Sequence, residues 1–437
     1  MLRRLFAKRS KLLFVVFIAF VAAFYKAANL VVPSKFQDSS PICASQLTAR
    51  FETHFVSSKQ LVQVHAASSI ELKDGRIRAF WFSGSREGAK DVAIHSAVFD
   101  PQKSQWSAEE IATTREHTQR ALHRYVGKLG NPVVVRQQDG RLRMFYVTVS
   151  MGGWAGSSIT TVTSGDEGAT WSEPRRLVTS PFLNISTLVK GAPFLYGDGT
   201  IGLPVYHEFI SKFAEILRVS PQGVVLDKQR LAGGGKGTLQ PVAFIQNAQS
   251  AQMLMRYSGA AEPHRVVVVS TQDAGQSWTP AMKSALPNPD SAVTGVTLPD
   301  GRMLAVLNNL DHGRDALSLM LSADKGVTWR EVQRLEDQIA ASAQADEVSY
   351  LRNIKTLIAQ SDAAAKSHLE QSIESTRLTV CKEGKCRYEF SYPYLIQTQS
   401  GDFHLVYTWN RTFIKHLTFN QAWLDQQLEK HAHDALH

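Results

Sequence analysis

The chain has 437 residues, of which 43% are hydrophobic and 20% are charged, and its formal net charge is +9. This composition is typical of a globular protein and excludes a largely disordered chain. The positive charge does not indicate a nucleic-acid binder, because five basic residues lie within the first eleven and no basic stripe interleaved with aromatic residues follows them.

The N-terminus combines this basic start with an apolar run. The run extends from Leu12 to Phe24 and resumes after Lys26. It is short for a membrane span, but Lys26 could snorkel and extend it to about 20 residues. We therefore expect residues 1–33 to be a cytoplasmic start and a single-pass anchor in the inner (cytoplasmic) membrane, with the remainder on the periplasmic or extracellular side. A cleaved signal peptide is the alternative, although no clean Ala-x-Ala site follows.

The three cysteines leave two interpretations open. Cys381 and Cys386 flank a turn-like tetrapeptide, so in an exported chain they could form a disulfide across a hairpin, with Cys43 left over. Three free thiols are the alternative. No Cys or His spacing indicates a zinc site, and no metal or organic cofactor is expected.

One octet of residues recurs along the chain. Copies run from Ser164 to Trp171, from Thr271 to Trp278 and from Ser322 to Trp329, and residues 100–106 resemble a degenerate fourth copy. In each octet an Asp can accept backbone N–H bonds across a turn, a Gly supplies a positive φ, and a Trp caps an apolar layer. Each copy follows a β-type run, which predicts a hairpin turn. The octet resembles the Asp box, which marks blades of sialidases and of several other β-propellers.

Further turn signals divide the chain into similar units. Each is an Asp-Gly or Ser-Gly pair followed by an apolar strand signal, at Asp74-Gly75, Asp139-Gly140, Asp198-Gly199, Asp300-Gly301 and Ser400-Gly401. Six units of roughly sixty residues are typical of a propeller with four-stranded blades. We therefore predict an all-β fold, a six-bladed β-propeller over residues 34–425, with a C-terminal tail at residues 426–437.

One segment breaks the strand pattern. Residues 336–376 are rich in Ala, Gln, Glu, Lys and Leu and contain no Gly or Pro, which predicts one or two amphipathic helices inserted before the last blade. The insertion could cover the mouth of the propeller, contact a partner or remain a solvated decoration.

Beyond the octets, the chain resembles bacterial sialidase-like proteins of the exo-α-sialidase family, in the sialidase superfamily. The matching stretches are His65–Ser69, Ser85–Ile94, Gly152–Ser158, Leu203–Glu208, Leu286–Asp290, Phe390–Pro393, Leu405–Trp409 and His416–Leu424. These stretches are distributed along almost all of the part expected to be exported. The resemblance implies a propeller directed at carbohydrate.

The resemblance also implies a set of site residues. Sialidases hold the sugar carboxylate with three arginines and use a Tyr nucleophile, a helper Glu and an acid/base Asp. Local context matches Arg256 and Arg314 to two of the arginines and Tyr392 to the nucleophile. Asp91, with Arg86 nearby, lies where the acid/base is expected.

Two positions depart from the sialidase pattern. His65 stands where the first arginine of the clamp is expected, and Gln240 stands where the helper Glu would lie. Both changes weaken carboxylate binding and the activation of Tyr392. His65 could instead act as an acid or base, and Glu208 could supply a second such group. For His207, a hydrogen-bonded structural role is the alternative to substrate binding.

We therefore expect a glycan-active enzyme, a glycosidase with lyase chemistry not excluded, which acts on an acidic sugar of a cell-surface or extracellular polysaccharide. The expected catalytic residues are Asp91, Tyr392, His65 and Glu208, and the expected substrate-binding residues are Arg86, Arg256, Arg314, Gln240 and His207. The alternative function is a non-catalytic, membrane-tethered propeller that binds carbohydrate or assists assembly.

Overall fold

The computed structural model describes residues 11–22, 35–37, 48–56, 63–180, 184–231, 237–343, 346–359 and 369–434. The chain divides into two compact units, Met1–Ser34 and Lys35–His437. In the first unit, residues 11–22 form a helix, α1. No helix within the described ranges is both long and apolar enough to cross a membrane. The rest of the predicted anchor, residues 1–10 and 23–33, lies outside the described residues.

The second unit contains six antiparallel sheets of four or five strands, which confirms the predicted all-β, six-bladed propeller. Blade 1 contains β2 (Gln63–Glu71), β3 (Ile77–Gly84), β4 (Ala93–Asp100), β5 (Gln105–Trp106) and β6 (Glu110–Thr114). Blade 2 contains β7 (Lys128–Arg136), β8 (Leu142–Val149), β9 (Ser157–Ser164) and β10 (Arg175–Arg176). Blade 3 contains β11 (Leu188–Val189), β12 (Phe194–Leu195), β13 (Ile201–His207), β14 (Phe213–Val219) and β15 (Val225–Arg230).

The remaining blades follow the same order. Blade 4 contains β16 (Thr238–Ile245), β17 (Ala251–Tyr257), β18 (Arg265–Thr271) and β19 (Met282–Pro287). Blade 5 contains β20 (Thr294–Thr297), β21 (Met303–Leu307), β22 (Ala316–Ser322) and β23 (Arg330–Asp337). Blade 6 contains β26 (Phe390–Gln397), β27 (Phe403–Trp409), β28 (Phe413–Phe419) and, from the start of the unit, β1 (Phe51–Phe55). Because β1 pairs with β28, strands from the two ends of the unit close the ring within one sheet.

The two predicted classes of turn occupy fixed places in the blades. The Asp-Gly and Ser-Gly turns join the first and second strands, and their glycines have φ from 79° to 90°. The three complete octets join the third and fourth strands, as predicted. In the first octet Asp166 accepts the Thr170 N–H at 2.9 Å, while the Ser164 hydroxyl accepts the Gly168 N–H at 2.8 Å. Hydrogen bonds from Thr170 are the main reason that the pKa of Asp166 falls to about 2.

The core lies between neighbouring blades and around the propeller axis. The central strands of the blades, such as β3, β8, β13 and β27, are buried along their whole length, so each sheet buries both faces against its neighbours. The inner strands of successive blades pack side by side around the axis, with blade 3 contacting β7 through β11 and β16 through β13, and β26 contacts β2 to complete the circle. The ends of these inner strands, with the loops beside them, therefore converge at one mouth.

The predicted insertion is helical and packs on the last blade. It contains α3 (Ile339–Ala343), α4 (Glu347–Ala359) and α5 (Leu369–Val380), while α2 (Arg115–Ala121) lies in blade 1. Tyr350, Ile354 and Ile358 of α4 are buried in a cluster with side chains of blades 5 and 6, so the insertion is not a solvated decoration. Cys381 and Cys386 form a disulfide across the short hairpin β24 (Cys381–Lys382) and β25 (Lys385–Cys386) that follows.

The segment predicted as a C-terminal tail, residues 426–437, is helical over its described part. It belongs to a helix, α6, formed by Gln421–Asp434. Leu424 and Leu428 of this helix are buried in the same cluster as the last blade. The hydrophobic burial of these leucines explains why the segment continues the folded unit.

Candidate active site

The mouth is built from two equivalent positions in each blade. The first is a non-glycine residue with φ between 45° and 61° at or just before the inner strand, and these bulge residues are Ala66, Asn131, Ser186, Gln240, Asp290 and Tyr392. The second is the loop between the second and third strands. A positive φ costs a non-glycine residue about 1 to 2 kcal/mol, and such residues cluster at functional sites. Six repeats of one strained conformation therefore mark this end of the propeller as the candidate site.

Three arginines converge on the mouth from blades 4, 5 and 6, and each is paired with a carboxylate. Arg256 donates from Nε to Asp290 at 2.6 Å. Arg314 donates from Nη1 to Glu389 at 3.3 Å and from Nη2 to the Asp290 carbonyl at 2.8 Å. Arg411 donates from Nε to Glu389 at 2.8 Å. The arginine cluster, Arg256, Arg314 and Arg411, is thus held by carboxylates that fix its geometry.

The ion pairs continue into blade 1 and shift the carboxylate pKa values. Arg411 also donates from Nη1 to Glu87 at 2.8 Å, and Trp154 Nε1 donates to the other oxygen of Glu87 at 3.2 Å. Burial would raise the pKa of Glu389, but Arg411, His65 and Arg314 outweigh it and lower the pKa to about 2. Glu389 and Glu87 are therefore ionised at neutral pH and serve to orient the arginines.

Tyr392 lies beside Gln240, as the resemblance implied for a nucleophile and its helper. Gln240 Nε2 donates to the Tyr392 hydroxyl at 3.3 Å. Arg256 Nη1 donates to Gln240 Oε1 at 3.3 Å, so the carbonyl end of the amide is occupied and the amino end faces Tyr392. Gln240 consequently presents a donor to the phenol oxygen, whereas a glutamate would present an acceptor.

His65 contacts Tyr392 but is buried and neutral. Its ring centroid lies 4.3 Å from that of Tyr392, and Nδ1 lies 3.0 Å from the Thr408 hydroxyl. Only 4% of the residue is exposed. Burial, reinforced by Arg411, lowers the pKa of His65 to about 4. The predicted acid/base role of His65 assumed an ordinary histidine pKa. Because the pKa is lowered, His65 does not fit that role at neutral pH.

Glu208 and His207 are adjacent in sequence but have different surroundings. His207 is buried, stacks on Phe213 at 4.4 Å and pairs through Nε2 with Glu215 at 2.7 Å, which supports its structural interpretation. Glu208 follows β13 and is half-buried, and burial raises its pKa, although Arg256 opposes the shift. No hydrogen bond to its carboxyl group is formed by any residue in the described ranges. A carboxyl with a raised pKa suits proton donation.

The structure does not join Asp91 or Arg86 to this cluster. Both side chains are exposed in the loop between β3 and β4. Asp91 accepts hydrogen bonds from the backbone and hydroxyl of Ser85, each at 2.9 Å. Among the described residues Asp91 forms no ion pair with the arginine cluster, and Glu87 of the same loop pairs with Arg411 instead.

Sequence reasoning missed several residues of the mouth. Glu87 and Glu389 lie inside or beside stretches that carried the resemblance, and Arg411 lies two residues after another. One unused signal was the bulge residue before a proline, as in Asn131-Pro132, Gln240-Pro241 and Tyr392-Pro393. The repeated pair is visible in the sequence at three of the six bulges, although a residue before proline ordinarily favours an extended backbone with a negative φ.

The mouth offers cations, carboxylates and a phenol. Within the described ranges, no group of three or more His, Cys, Asp or Glu side chains is arranged to hold a metal ion. The ordered guanidinium groups suit an anionic group, and Tyr392 supplies an oxygen that can react or accept a proton.

Solved structures with the same architecture include sialidases. A Hadza microbial sialidase is 15% identical with a TM-score of 0.60, over 82% of this chain and 65% of its own, so this chain spans under two thirds of that protein. A protein of unknown function from Dyadobacter fermentans is 12% identical with a TM-score of 0.60, over 85% and 99% of the two chains. The NanB sialidase from Streptococcus pneumoniae is 9% identical with a TM-score of 0.59, over 88% and 71%.

At these identities the likeness shows the fold alone. No curated protein sequence matches the chain. The family model described as a BNR repeat-like domain matches residues 75–405, which is most of the propeller and includes all three complete octets. The chain therefore belongs to the family of BNR repeat-like domain proteins.

Proposed function

We propose that the mouth is a glycan-active site that cleaves a glycoside of an acidic sugar in a cell-surface or extracellular polysaccharide. One observation carries the proposal: the arginine cluster and Tyr392 converge at the same mouth. Arg256 and Arg411 each use Nε and Nη1 for bonds to the protein. Their Nη2 groups form no hydrogen bond with a described residue, which leaves donors for a substrate carboxylate.

The proposed reaction uses Tyr392 as the nucleophile and Glu208 first as acid and then as base. After the Tyr392 phenol has lost its proton to water, its oxygen attacks the anomeric carbon while the bond from that carbon to the leaving oxygen breaks, and Glu208 protonates the leaving oxygen. Water then releases the sugar from Tyr392, with Glu208 taking the proton of that water. The raised pKa of Glu208 supports its part as the acid. A tyrosine suits an anionic sugar because a carboxylate nucleophile would repel the bound charge.

The proposal predicts that the full chain releases sugar from at least one acidic glycan in a panel of sialosides, uronosides and extracellular polysaccharides.

Arg256→Lys and Arg411→Lys keep the charge that faces each carboxylate but remove the second guanidinium donor. Loss of a charge-assisted hydrogen bond of about 1.5 to 3 kcal/mol should weaken ligand binding roughly tenfold to a hundredfold.

The matched control is Arg302→Lys. Arg302 pairs with Asp300 in the turn between β20 and β21, at the opposite end of the blade. Calorimetric titration and product release measured by chromatography should be unchanged in this variant. Absence of product from every glycan in the panel would refute the proposal.

A second function is favoured by two features of the site. Gln240 cannot take a proton from Tyr392, and every arginine of the cluster already has a carboxylate partner. Both features suit a propeller that binds carbohydrate without cleaving it. Binding on a glycan array with no detectable product would support this alternative, and product release would exclude it.

A further inference from the structure

Lys190 is a buried cation directly beneath the mouth. It follows β11 in blade 3, and only 4% of the residue is exposed. Its Nζ lies 5.7 Å from the ring centroid of Tyr392 and 5.1 Å from that of Tyr394. Nζ also donates to the Pro393 carbonyl at 3.3 Å, between these two tyrosines in the chain. The lysine therefore faces one short segment of β26.

No carboxylate compensates this lysine among the described residues. Its polar contacts there are the Pro393 carbonyl and the two phenol rings. A buried ammonium without a carboxylate is costly, and an apolar side chain of similar length would fill the site at lower cost. Burial accordingly lowers the pKa of Lys190 to about 7. A costly group at the centre of a candidate site calls for a functional explanation.

The backbone around Lys190 is adapted to bring it there. A Cβ on the next residue, Gly191, would lie 2.0 Å from the Pro241 carbonyl oxygen. Only glycine permits this close approach of the blade 3 strand to the inner strand of blade 4. Since Pro241 follows Gln240, the same contact fixes Lys190 relative to the amide that donates to Tyr392.

Of the two tyrosines that face Lys190, Tyr392 is the one that reaches the mouth. Tyr394 is 2% exposed, and burial raises its pKa. Tyr392 is partly exposed at the mouth and receives the Gln240 N–H. The charge on Arg256 also couples to Tyr392, because a negative Tyr392 raises the pKa of Arg256 against the effect of burial. Gln240 and Arg256 therefore favour a negative charge on the Tyr392 oxygen, while the buried phenol of Tyr206, whose pKa burial and a negative Tyr392 both raise, opposes it.

We propose that the ammonium form of Lys190 stabilises the phenolate form of Tyr392 and so replaces the activating glutamate that Gln240 cannot supply. The proton of the phenol leaves to water at the mouth, and Lys190 keeps its own proton. Lys190 thus acts through Tyr392 and not on the glycan. The role of Tyr392 as the reacting group rests on the proposed function, but the effect of Lys190 on its ionisation can be measured without any glycan.

The test compares Lys190→Met, which removes the charge, with Lys190→Arg, which makes it permanent. Full-length protein is labelled with 3-fluorotyrosine, and the Tyr392 signal is assigned by its loss in Tyr392→Phe. At this separation a permanent charge should move the titration of the phenol by about one to two pH units. We expect Tyr392 to titrate at lower pH in Lys190→Arg than in Lys190→Met, as followed by fluorine NMR. Equal titration midpoints would overturn the proposal whatever the glycan.

Activity gives a second, separable readout on any glycan that the unmodified protein cleaves. Its turnover should rise with pH below about 7 and level off above it, because Lys190 there loses the charge that stabilises the phenolate. Turnover of Lys190→Arg should continue to rise above pH 7, and Lys190→Met should be slower by about tenfold to a hundredfold below pH 7, with little change in KM. If Lys190→Arg does not fold, the absence of this break near pH 7 in Lys190→Met decides the question. Turnover by Lys190→Met at the unmodified rate and pH dependence would overturn the proposal.

The two proposals fail separately. If the fluorine titrations differ as expected but no glycan is cleaved, the proposed hydrolysis fails and the coupling of Lys190 to Tyr392 stands. If a glycan is cleaved but the titrations coincide, the Lys190 proposal fails alone. Lys190→Met should unfold at a temperature no lower than the unmodified chain, since it relieves a buried charge.

Discussion

At the mouth, residue types alone indicated part of the chemistry of the single side chains. The sequence pointed to His65 and Gln240 as departures from the sialidase pattern, and both side chains contact Tyr392. The residue types did not reveal the protonation state of His65 or the direction of the hydrogen bond from Gln240. His65 is a neutral, packed ring because it is buried, and Gln240 is a donor because Arg256 occupies its carbonyl. Burial and hydrogen-bond direction are properties of the fold and have no local sequence signal.

The buried state of His65 leads to a test at the residue scale. With a pKa lowered to about 4, His65 stays neutral at every pH above about 5, so it cannot produce a step in activity near pH 6.5. His65→Gln keeps a polar group toward Thr408. We expect the pH profile of kcat/KM between pH 5 and 8 to have the same shape in both proteins, even if the variant is slower. A step near pH 6.5 that disappears in His65→Gln would restore His65 as the acid or base.

At the scale of elements, turns were predictable and bulges were not. Asp-Gly pairs and the octets combine residues that favour a turn with an Asp that bonds its own backbone, so they are visible in the sequence. The bulges place Ala66, Gln240 and Tyr392 in a conformation that none of these residue types prefers. The ring packing of six inner strands imposes it, and the mouth is built on it. The sequence therefore identified the blades better than the site.

Strain at a bulge predicts an unusual tolerance of glycine. Ala66 and Ala67 are neighbours on β2 with 1% and 0% exposure, but only Ala66 has a positive φ, of 53°. Ala67→Gly should destabilise by about 1.5 kcal/mol, from a lost buried methyl and greater freedom of the unfolded chain. In Ala66→Gly the same losses occur, but the backbone strain of the positive φ, about 1 to 2 kcal/mol, is removed and should offset them.

The comparison uses the free energy of unfolding from urea titration of the two variants. Ala66→Gly should lie within about 0.5 kcal/mol of the unmodified protein, while Ala67→Gly should be clearly weaker. Equal destabilisation of the two would show that the bulge residue is not strained. Because the positions share one strand, the difference does not depend on the general cost of glycine in the blade.

At the scale of the whole molecule, the ring closes through a histidine-rich seam. The seam comprises His54 of β1, His404 of β27 and His416 of β28, packed against blade 1. His404 Nδ1 and His416 Nε2 are 2.9 Å apart, and the two rings stack at 5.1 Å. The sequence predicted six blades but not how they close, because the pairing of β1 with β28 joins residues from opposite ends of the unit. Closure is therefore a property of the complete ring.

Acid should weaken this seam. Burial, with Arg50 adding to it, lowers the pKa of His404 to about 3, and burial with the neighbouring His404 lowers that of His416 well below its usual range. Below about pH 6.5 the unfolded chain binds protons at these histidines while the folded protein does not, so stability is lost as pH falls. Each histidine should contribute about 1.4 kcal/mol per pH unit until its folded pKa is reached. The window from pH 6.5 to 4.5 lies above the range in which most carboxylates titrate.

The measurement is urea unfolding at intervals across that window, for the unmodified protein and for His404→Gln/His416→Gln. Other histidines contribute equally to both, so the difference between the two slopes isolates the seam. Unfolding of the unmodified protein exposes two histidines that take up protons, and the variant lacks both. As pH falls, the free energy of unfolding of the unmodified protein should therefore decrease faster than that of the variant, by up to about 2.7 kcal/mol per pH unit. Arg50 and Asp402, which pair at 2.8 Å beside His404, are unchanged in both proteins. Parallel slopes would show that the buried pair is not the acid-sensitive element of the ring.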